Sequence, residues 1–263
     1  VCRAFVRCIG RWDGLDCLFL LYLSVCSAGT GFIVDYERSG EENRNSQRIM
    51  TEFIYLHGFA SGPNSNKARV FKKRFYELKV PLHIPDLEEN DFENLTLSRQ
   101  INLVHTIIDA DKHKNFALIG SSMGGYLASL LAQNRESIKA LYLMAPGFNF
   151  LNRWIKKLNL EEKLCKTHLI PVFHYRYNKE VFLNTHLFKD AEAWESLPLE
   201  RNIPTLIVHG LHDDTVNIQE SRNFVSKHPW CQLRELDSDH GLLSSVDWIV
   251  EDCIRFFKNQ SLL

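Results

Sequence analysis

Neither sign of charge dominates this 263-residue sequence: 31 Lys and Arg stand against 32 Asp and Glu, a net charge of −1. No basic face follows from that balance, so nucleic acid is not an expected partner. Cysteine is sparse, with seven in all, and four of them (Cys2, Cys8, Cys17, Cys26) crowd the first 26 residues. That number and placement exclude a disulfide-stapled scaffold. No internal repeat or low-complexity tract is present, which excludes a repeat array. What remains is 45% hydrophobic and 24% charged, enough apolar material for a sizeable core in one large or two small domains.

Residues 1–49 read differently from the rest. Arg3, Arg7 and Arg11 precede an uncharged stretch from Cys17 to Val34. At ~1.5 Å per residue that stretch is near the lower limit for a membrane span. Its opening, CLFLLYLSVC, also resembles a signal-peptide core, with Ser27-Ala28 as a small-residue cleavage site. Asp13 and Asp16 spoil the positive flank, and Gly29, Thr30 and Gly31 dilute the run. A polar segment, residues 37–48, separates this region from the remainder of the chain. The expectation is a dispensable or misassigned extension over 1–49, with Met50 fitting a true start before a domain spanning 50–263. The expected location is cytoplasmic; export or anchoring through residues 17–34 is the alternative, and the oligomeric state stays open.

From residue 52 onward, strand and helix signals alternate. Glu52–Leu56, Leu82–Ile84, Phe116–Ile119, Ile138–Met144, Ile203–Val208 and Cys231–Leu236 are short apolar runs of strand type. Between them, Ala68, Phe71, Phe75 and Leu78 recur at helical spacing, as do Leu97, Ile101, Val104 and Ile108. Further helices are expected over Met123–Asn134, near Gln219–Lys227 and over Ser244–Lys258. Strand alternating with helix at these distances implies βαβ crossovers, hence a mostly parallel α/β sheet of about six strands with helices on both faces. Such a sheet presents active residues on loops at the carboxyl ends of its strands.

Gly120-Ser121-Ser122-Met123-Gly124 is a G-x-S-x-G between an expected strand and an expected helix. Chemistry there needs Ser122 on a sharp, strained turn, with glycine on either side because a side chain would clash where strand meets helix. A serine needs a base and an orienting acid, and these should follow in the order acid, then histidine. Asp213 follows the strand Ile203–Val208, and His240 follows Cys231–Leu236. The roles expected are nucleophile for Ser122, general base and then acid for His240, and orientation of the imidazole for Asp213. Asp214 is the nearest rival for the acid, and neighbours on a loop point differently. His209 and His212 lack a third ligand cluster, so one strand-end packing histidine and one loop histidine are preferred to a metal pair. Oxyanion donors are expected from the N–H of Met123 and, after the first strand, that of Phe59, with Ala60 as the alternative.

The opening Leu56-His57-Gly58-Phe59-Ala60-Ser61-Gly62-Pro63, followed by Ser65, Lys67 and Ala68, resembles the YqiA/YcfP-like esterases of the α/β-hydrolase superfamily. Gly120–Tyr126, His209–Val216 and Asp237–His240 are similar to the same family, and the likeness runs from about Thr51 to Phe257. It implies an α/β-hydrolase fold lacking the superfamily's first two strands, acting on carboxylic ester or thioester bonds. The expected activity is a carboxylesterase on small to medium acyl esters, working through an acyl-enzyme without cofactor or metal. An acyl thioesterase is the near alternative, and a non-catalytic binding protein on the same fold the distant one.

Residues 147–200 are long enough for a lid and hold 9 aromatics in 54 positions, against 30 in the 263 of the whole chain. An apolar pocket is one reading of this enrichment, with Phe148, Phe150, Trp154 and His57 as lining candidates; packing of the lid onto the sheet is the other. Arg153, Lys156, Lys157, Lys163 and Lys166 read first as a solvated helix face, and second as a contact for an anionic group such as a coenzyme A phosphate.

Overall fold

Strands buried on both faces must be apolar at every position, and four of the runs meet that condition. In the computed structural model, which describes residues 4–12, 15–23, 50–158 and 168–263, they become β3 (Thr51–Leu56), β5 (Asn115–Ser121), β6 (Ile138–Met144) and β9 (Thr205–Gly210). With β4 (Leu82–His83) and β10 (Cys231–Leu236) at the edges they form one parallel sheet, ordered β10-β9-β6-β5-β3-β4. This is the α/β-hydrolase arrangement expected from the sequence.

Alternation along the strands divides the core in two. Phe53, Tyr55, Ile119, Tyr142 and Val208 face one side, where α1 (Asn66–Glu77) and α7 (Val246–Asn259) cover them through Phe71, Phe75, Ile249 and Phe257. Ile54, Leu56, Leu118, Leu143 and Ile207 face the other, under α2 (Leu97–Asp109), α3 (Met123–Gln133) and α6 (Ile218–Lys227). The helical spacing read from the sequence holds: Ala68, Phe71 and Phe75 of α1, and Leu97, Ile101, Val104 and Ile108 of α2, are all buried.

After β3 the chain runs outward to β4, then returns to lay β5 against the other side of β3. That reversal opens a crevice at the carboxyl ends of β3 and β5, the place where such sheets bind ligands. Helix α3 starts there and crosses β3 with almost no clearance. A Cβ on Gly124 would stand 2.2 Å from the Leu56 carbonyl oxygen, and one on Gly120 would stand 2.5 Å from that of Gly124.

Residues 147–200 contain more order than their sequence suggested. After α4 (Phe150–Leu158), β7 (Leu169–His174) and β8 (Lys179–Asn184) form an antiparallel hairpin, and α5 (His186–Glu195) follows. Ile170, Val172 and His174 face inward and their neighbours outward, a period-2 pattern over only six residues that Pro171 obscures. Four polar contacts tie the hairpin to the sheet domain, one of them from Asn184 N–H to Glu93 O at 2.8 Å. Tyr175 N–H donates to Ala60 O at 2.9 Å, Arg176 pairs with Asp86 at 2.8 Å, and the His174 Nε2 lies 2.9 Å from the Glu88 carboxylate.

The chain divides into two units, 1–47 and 48–263. In the first, β1 (Ala4–Trp12) pairs antiparallel with β2 (Leu15–Leu23). Cys17–Leu23, the start of the stretch that the alternative reading took for a membrane span or signal core, lies in β2. The Ser27-Ala28 site and the polar segment 37–48 lie outside the described residues. Among the described residues no helix is long and apolar enough to cross a membrane.

The tight passage at Gly124 can be tested directly. Gly124→Ala should lower stability by roughly 3 kcal/mol, because backbone rather than a movable side chain blocks the new methyl. A thermal midpoint equal to that of the parent would show that α3 can shift. A second expectation concerns the buried pair His174 and Glu88. Burial, with Asp86 beside it, pushes the Glu88 carboxyl up to about 8, and burial, with Arg176, pulls His174 down to about 4. The pair therefore keeps one shared proton between those values. An unfolded chain has lost it above about 6.5, the ordinary histidine value. The folded state then holds more protons between about pH 6.5 and 8, so stability should fall as pH rises through that window, by about 2 kcal/mol. Thermal melts at several pH values should show this decline, and Glu88→Gln should flatten it; the same slope in both proteins would remove the pair as its cause.

Candidate active site

Ser122 sits where β5 ends and α3 begins, with φ 52° and ψ −118°. A residue with a side chain reaches this region only at a cost of about 1–3 kcal/mol. The surroundings hold it there: its N–H donates to Met144 O at 2.8 Å, and its carbonyl accepts from Gly125, Tyr126 and Gly147 at 2.9, 3.2 and 2.9 Å. The turn throws the hydroxyl clear of the backbone.

Two further loops bring their side chains to it. His240 Nε2 lies 3.0 Å from Ser122 Oγ, and His240 Nδ1 lies 2.7 Å from Asp213 Oδ2. The Asp213 carboxylate is fully buried. Its Oδ1 accepts the N–H groups of Thr215 and Val216 at 2.9 and 2.7 Å, an Asx-type turn that fixes the loop after β9. Burial pushes its pKa up, but hydrogen bonds from His209 and His240, the adjacent His240 charge and the Val216 N–H together hold it well below the usual carboxylate range. Asp214, exposed, accepts instead from the Thr215 hydroxyl. Asp237 pairs with His212, and Asp239 accepts from Leu242 N–H.

Sequence reasoning assigned His209 to packing, yet it has a second task. Its Nε2 lies 3.0 Å from Asp213 Oδ2 and 2.9 Å from Val216 O, both acceptors, so this nitrogen carries the proton. Its Nδ1 then accepts from the Ser221 hydroxyl at 2.8 Å. A histidine four residues before the acid, at a strand end, was the available signal. Lys67 is likewise more than a motif residue. Its ammonium, buried, donates to Gly241 O at 2.7 Å beside His240, and burial draws its pKa down to about 8.

The hydroxyl and imidazole open into a pocket of about 1170 Å³, roomy by the standard of small-molecule sites. Phe59 and Met123 line it with Ser122, and among the described residues their N–H groups have no protein acceptor. Phe150 and Trp154 line it, joined by Phe173 and Tyr175 from the hairpin. The other two lining candidates lie elsewhere. His57 is 2% exposed; its Nδ1 donates to Gly58 O at 3.0 Å and its Nε2 accepts Leu87 N–H at 3.1 Å. Burial lowers its pKa, which keeps it neutral and able to accept. It braces the loop after β3 from behind. Phe148 stacks on Phe224 with ring centroids 4.3 Å apart, in the core under α6. Of the cationic run, Arg153 and Lys156 reach the pocket, while Lys163 and Lys166, and the Lys157 side chain, lie outside the described residues.

Similarity to known proteins agrees with this arrangement. Residues 52–258 match the model of the Uncharacterised protein family (UPF0227). A protein of Mycoplasma pneumoniae named "Putative esterase/lipase 2" is 39% identical over 207 residues, 67% of this chain and 76% of that protein. Its namesake in Mycoplasma genitalium is 40% identical over 204 residues, 66% of this chain and 75% of the relative. Among solved structures, the mouse alpha/beta hydrolase domain-containing protein 10 shares 19% identity with a TM-score of 0.64, covering 99% of this chain and 100% of its own. Est1E from Butyrivibrio proteoclasticus shares 18% with a TM-score of 0.62, covering 97% and 99%. At such identities the structures speak for the fold alone. Together with the parallel sheet and the serine turn, the matches make this chain a member of the UPF0227 family, built on the α/β-hydrolase fold.

Proposed function

We propose that this protein is a serine esterase that cleaves small to medium acyl esters through a covalent acyl-enzyme. The observation that carries the reading is the unbroken hydrogen-bonded chain from Ser122 through His240 to buried Asp213, at 3.0 and 2.7 Å, opening into the pocket. The names of the two Mycoplasma relatives support an ester as substrate.

In this reading His240 Nε2 takes the Ser122 proton as Oγ attacks the ester carbonyl. Asp213 fixes the imidazole with its Nδ1 proton inward and stabilises the imidazolium. His209 and the Thr215 and Val216 N–H groups keep that carboxylate ionised and still. The oxyanion forms between the N–H groups of Phe59 and Met123. His240 then returns its proton to the departing alcohol, leaving the acyl group on Ser122. Water, deprotonated by His240, attacks the acyl carbonyl and releases the acid, and Ser122 recovers its proton.

A fluorophosphonate probe should label one peptide, at Ser122, and Ser122→Ala and His240→Ala should each abolish the label while the far-ultraviolet circular dichroism stays native. Absence of label on the folded parent would sink the esterase reading. Asp213→Asn should cut kcat for p-nitrophenyl butyrate by about 10³–10⁴, as loss of the orienting acid does in related triads. Asp214→Asn should cost less than about threefold, given its exposure. Equal losses in steady-state assays would move the acid away from Asp213.

A further inference from the structure

Apart from His240, the charged side chains lining the pocket are Lys67, Arg153, Lys156 and Arg176. All are cationic, and no aspartate or glutamate joins them among the described residues. In a chain with one more acid than base, such a lining does not follow from composition. Two of these charges have local duties. Arg176 is paired with Asp86, and Lys67 holds Gly241 O with the charges of Asp239 and Asp213 near it.

Arg153 is different. Its Nε donates to Phe148 O at 3.0 Å and its Nη1 to Thr215 O at 3.2 Å, both neutral acceptors. No carboxylate lies within ion-pair distance of it among the described residues. Glu220, Glu195 and Asp213 act on it only from farther away, and each has another partner: the Asn149 amide at 3.4 Å, the Tyr126 hydroxyl at 2.8 Å and His240 at 2.7 Å. The guanidinium is half-buried, and its desolvation is not offset by a contact ion. Its Nη2, which has no protein acceptor among the described residues, is 3.2 Å from where a Cβ on Gly147 would stand. The Met123 nitrogen is 3.4 Å from the same point. A cation without a contact counter-ion thus stands no more than about 7 Å from a proposed oxyanion donor. Lys156, exposed, comes one turn later on α4 and reaches the same pocket.

We propose that Arg153, with Lys156 beside it, binds an anionic group of the substrate, so that the preferred substrates are acyl esters bearing a carboxylate or phosphate a few bonds from the scissile carbonyl. This rests on the Ser122 esterase reading. The Nη1 bond pins α4 to the loop carrying Asp213, and the Nε bond holds the guanidinium against Phe148 O just before α4; Nη2 is left for the ligand, and a planar two-pronged donor suits either anion.

The test uses the full chain and matched ester pairs. On the leaving-group side, 3-carboxyphenyl butyrate and 3-(phosphonooxy)phenyl butyrate are compared with phenyl butyrate; on the acyl side, monomethyl glutarate is compared with methyl pentanoate. At least one anionic ester should exceed its neutral partner in kcat/KM by about tenfold or more. Which aryl ester leads tells carboxylate from phosphate. In Arg153→Gln that ratio should fall to within about twofold of unity, while Arg153→Lys should keep part of it. Because the readout is a ratio, a general loss of activity cancels. A purely structural Arg153 would leave the ratio unchanged in both variants and overturn the proposal. So would the absence of any preference, in cleavage or in protection of Ser122 from the fluorophosphonate, by an enzyme that the probe labels. A folded parent that the probe does not label overturns the esterase reading itself, and this proposal with it.

Discussion

The close passage of α3 across β3 is the constraint on which the rest of the site depends. Gly124 brings helix backbone so near the Leu56 carbonyl that no side chain fits. Only at that separation can the first turn of α3 share a crevice with the loop leaving β3. The two proposed oxyanion donors, Phe59 after β3 and Met123 at the start of α3, come from those two elements. The strained dihedrals of Ser122 are the other side of the same fit: packing on both faces of the sheet over-determines the turn. Strain at one residue is small beside the apolar area that fixes the strands around it.

Electrostatics at the acid follow a similar logic. A carboxylate with no exposed surface is tolerable only if its lone pairs are met, and Asp213 has two backbone N–H groups on one oxygen and two imidazoles on the other. That set does two things at once. It keeps the group ionised despite burial, and it leaves it a single orientation toward His240. The tautomer of His240 is then set by structure rather than by solvent, as a base between a hydroxyl and a carboxylate requires. His209 and Ser221 extend the network into α6, so the helix after β9 supports the acid as well as the core.

Most of the sheet domain was legible in the sequence because its signals are long and local. Strands buried on both faces leave unbroken apolar runs, and α1 and α2 leave a 3.6-residue rhythm. Ser122, Asp213 and His240 follow from their places at strand ends, because a parallel sheet collects such loops on one edge. What escaped depends on contacts across sequence distance. The β7–β8 hairpin has six-residue strands, one interrupted by Pro171, too short to rise above its surroundings. His57 sits beside the proposed oxyanion loop in sequence and reads as pocket-lining, but Leu87, 30 residues on, claims its imidazole. Phe148 belongs by composition to an aromatic lid, and Phe224 of α6 takes it into the core. Arg153 looked like one of a row of solvated cations; the carbonyls of Phe148 and Thr215 turn it inward.

In the proposed esterase, chemistry and selectivity have separate sources in the fold. Ser122, Asp213 and His240 stand on loops of the central sheet, where backbone geometry leaves little freedom. The walls that decide what reaches them come largely from residues 147–200, through Phe150, Arg153, Trp154, Phe173 and Tyr175. The two parts are not independent. Tyr175 N–H is bonded to Ala60 O, Arg176 to Asp86, and His174 to Glu88, whose carboxylate also accepts from Ser61 N–H. Ala60 itself takes a positive φ of 51°, a conformation that the bond from Tyr175 helps to hold. The hairpin is thus fastened through Tyr175 to the loop that carries Phe59, a proposed oxyanion donor. A displacement of the hairpin large enough to widen the pocket would strain that loop. In the proposed mechanism the Tyr175–Ala60 bond links a wall of the pocket to the oxyanion site, so a change in that wall reaches the carbonyl without touching Ser122.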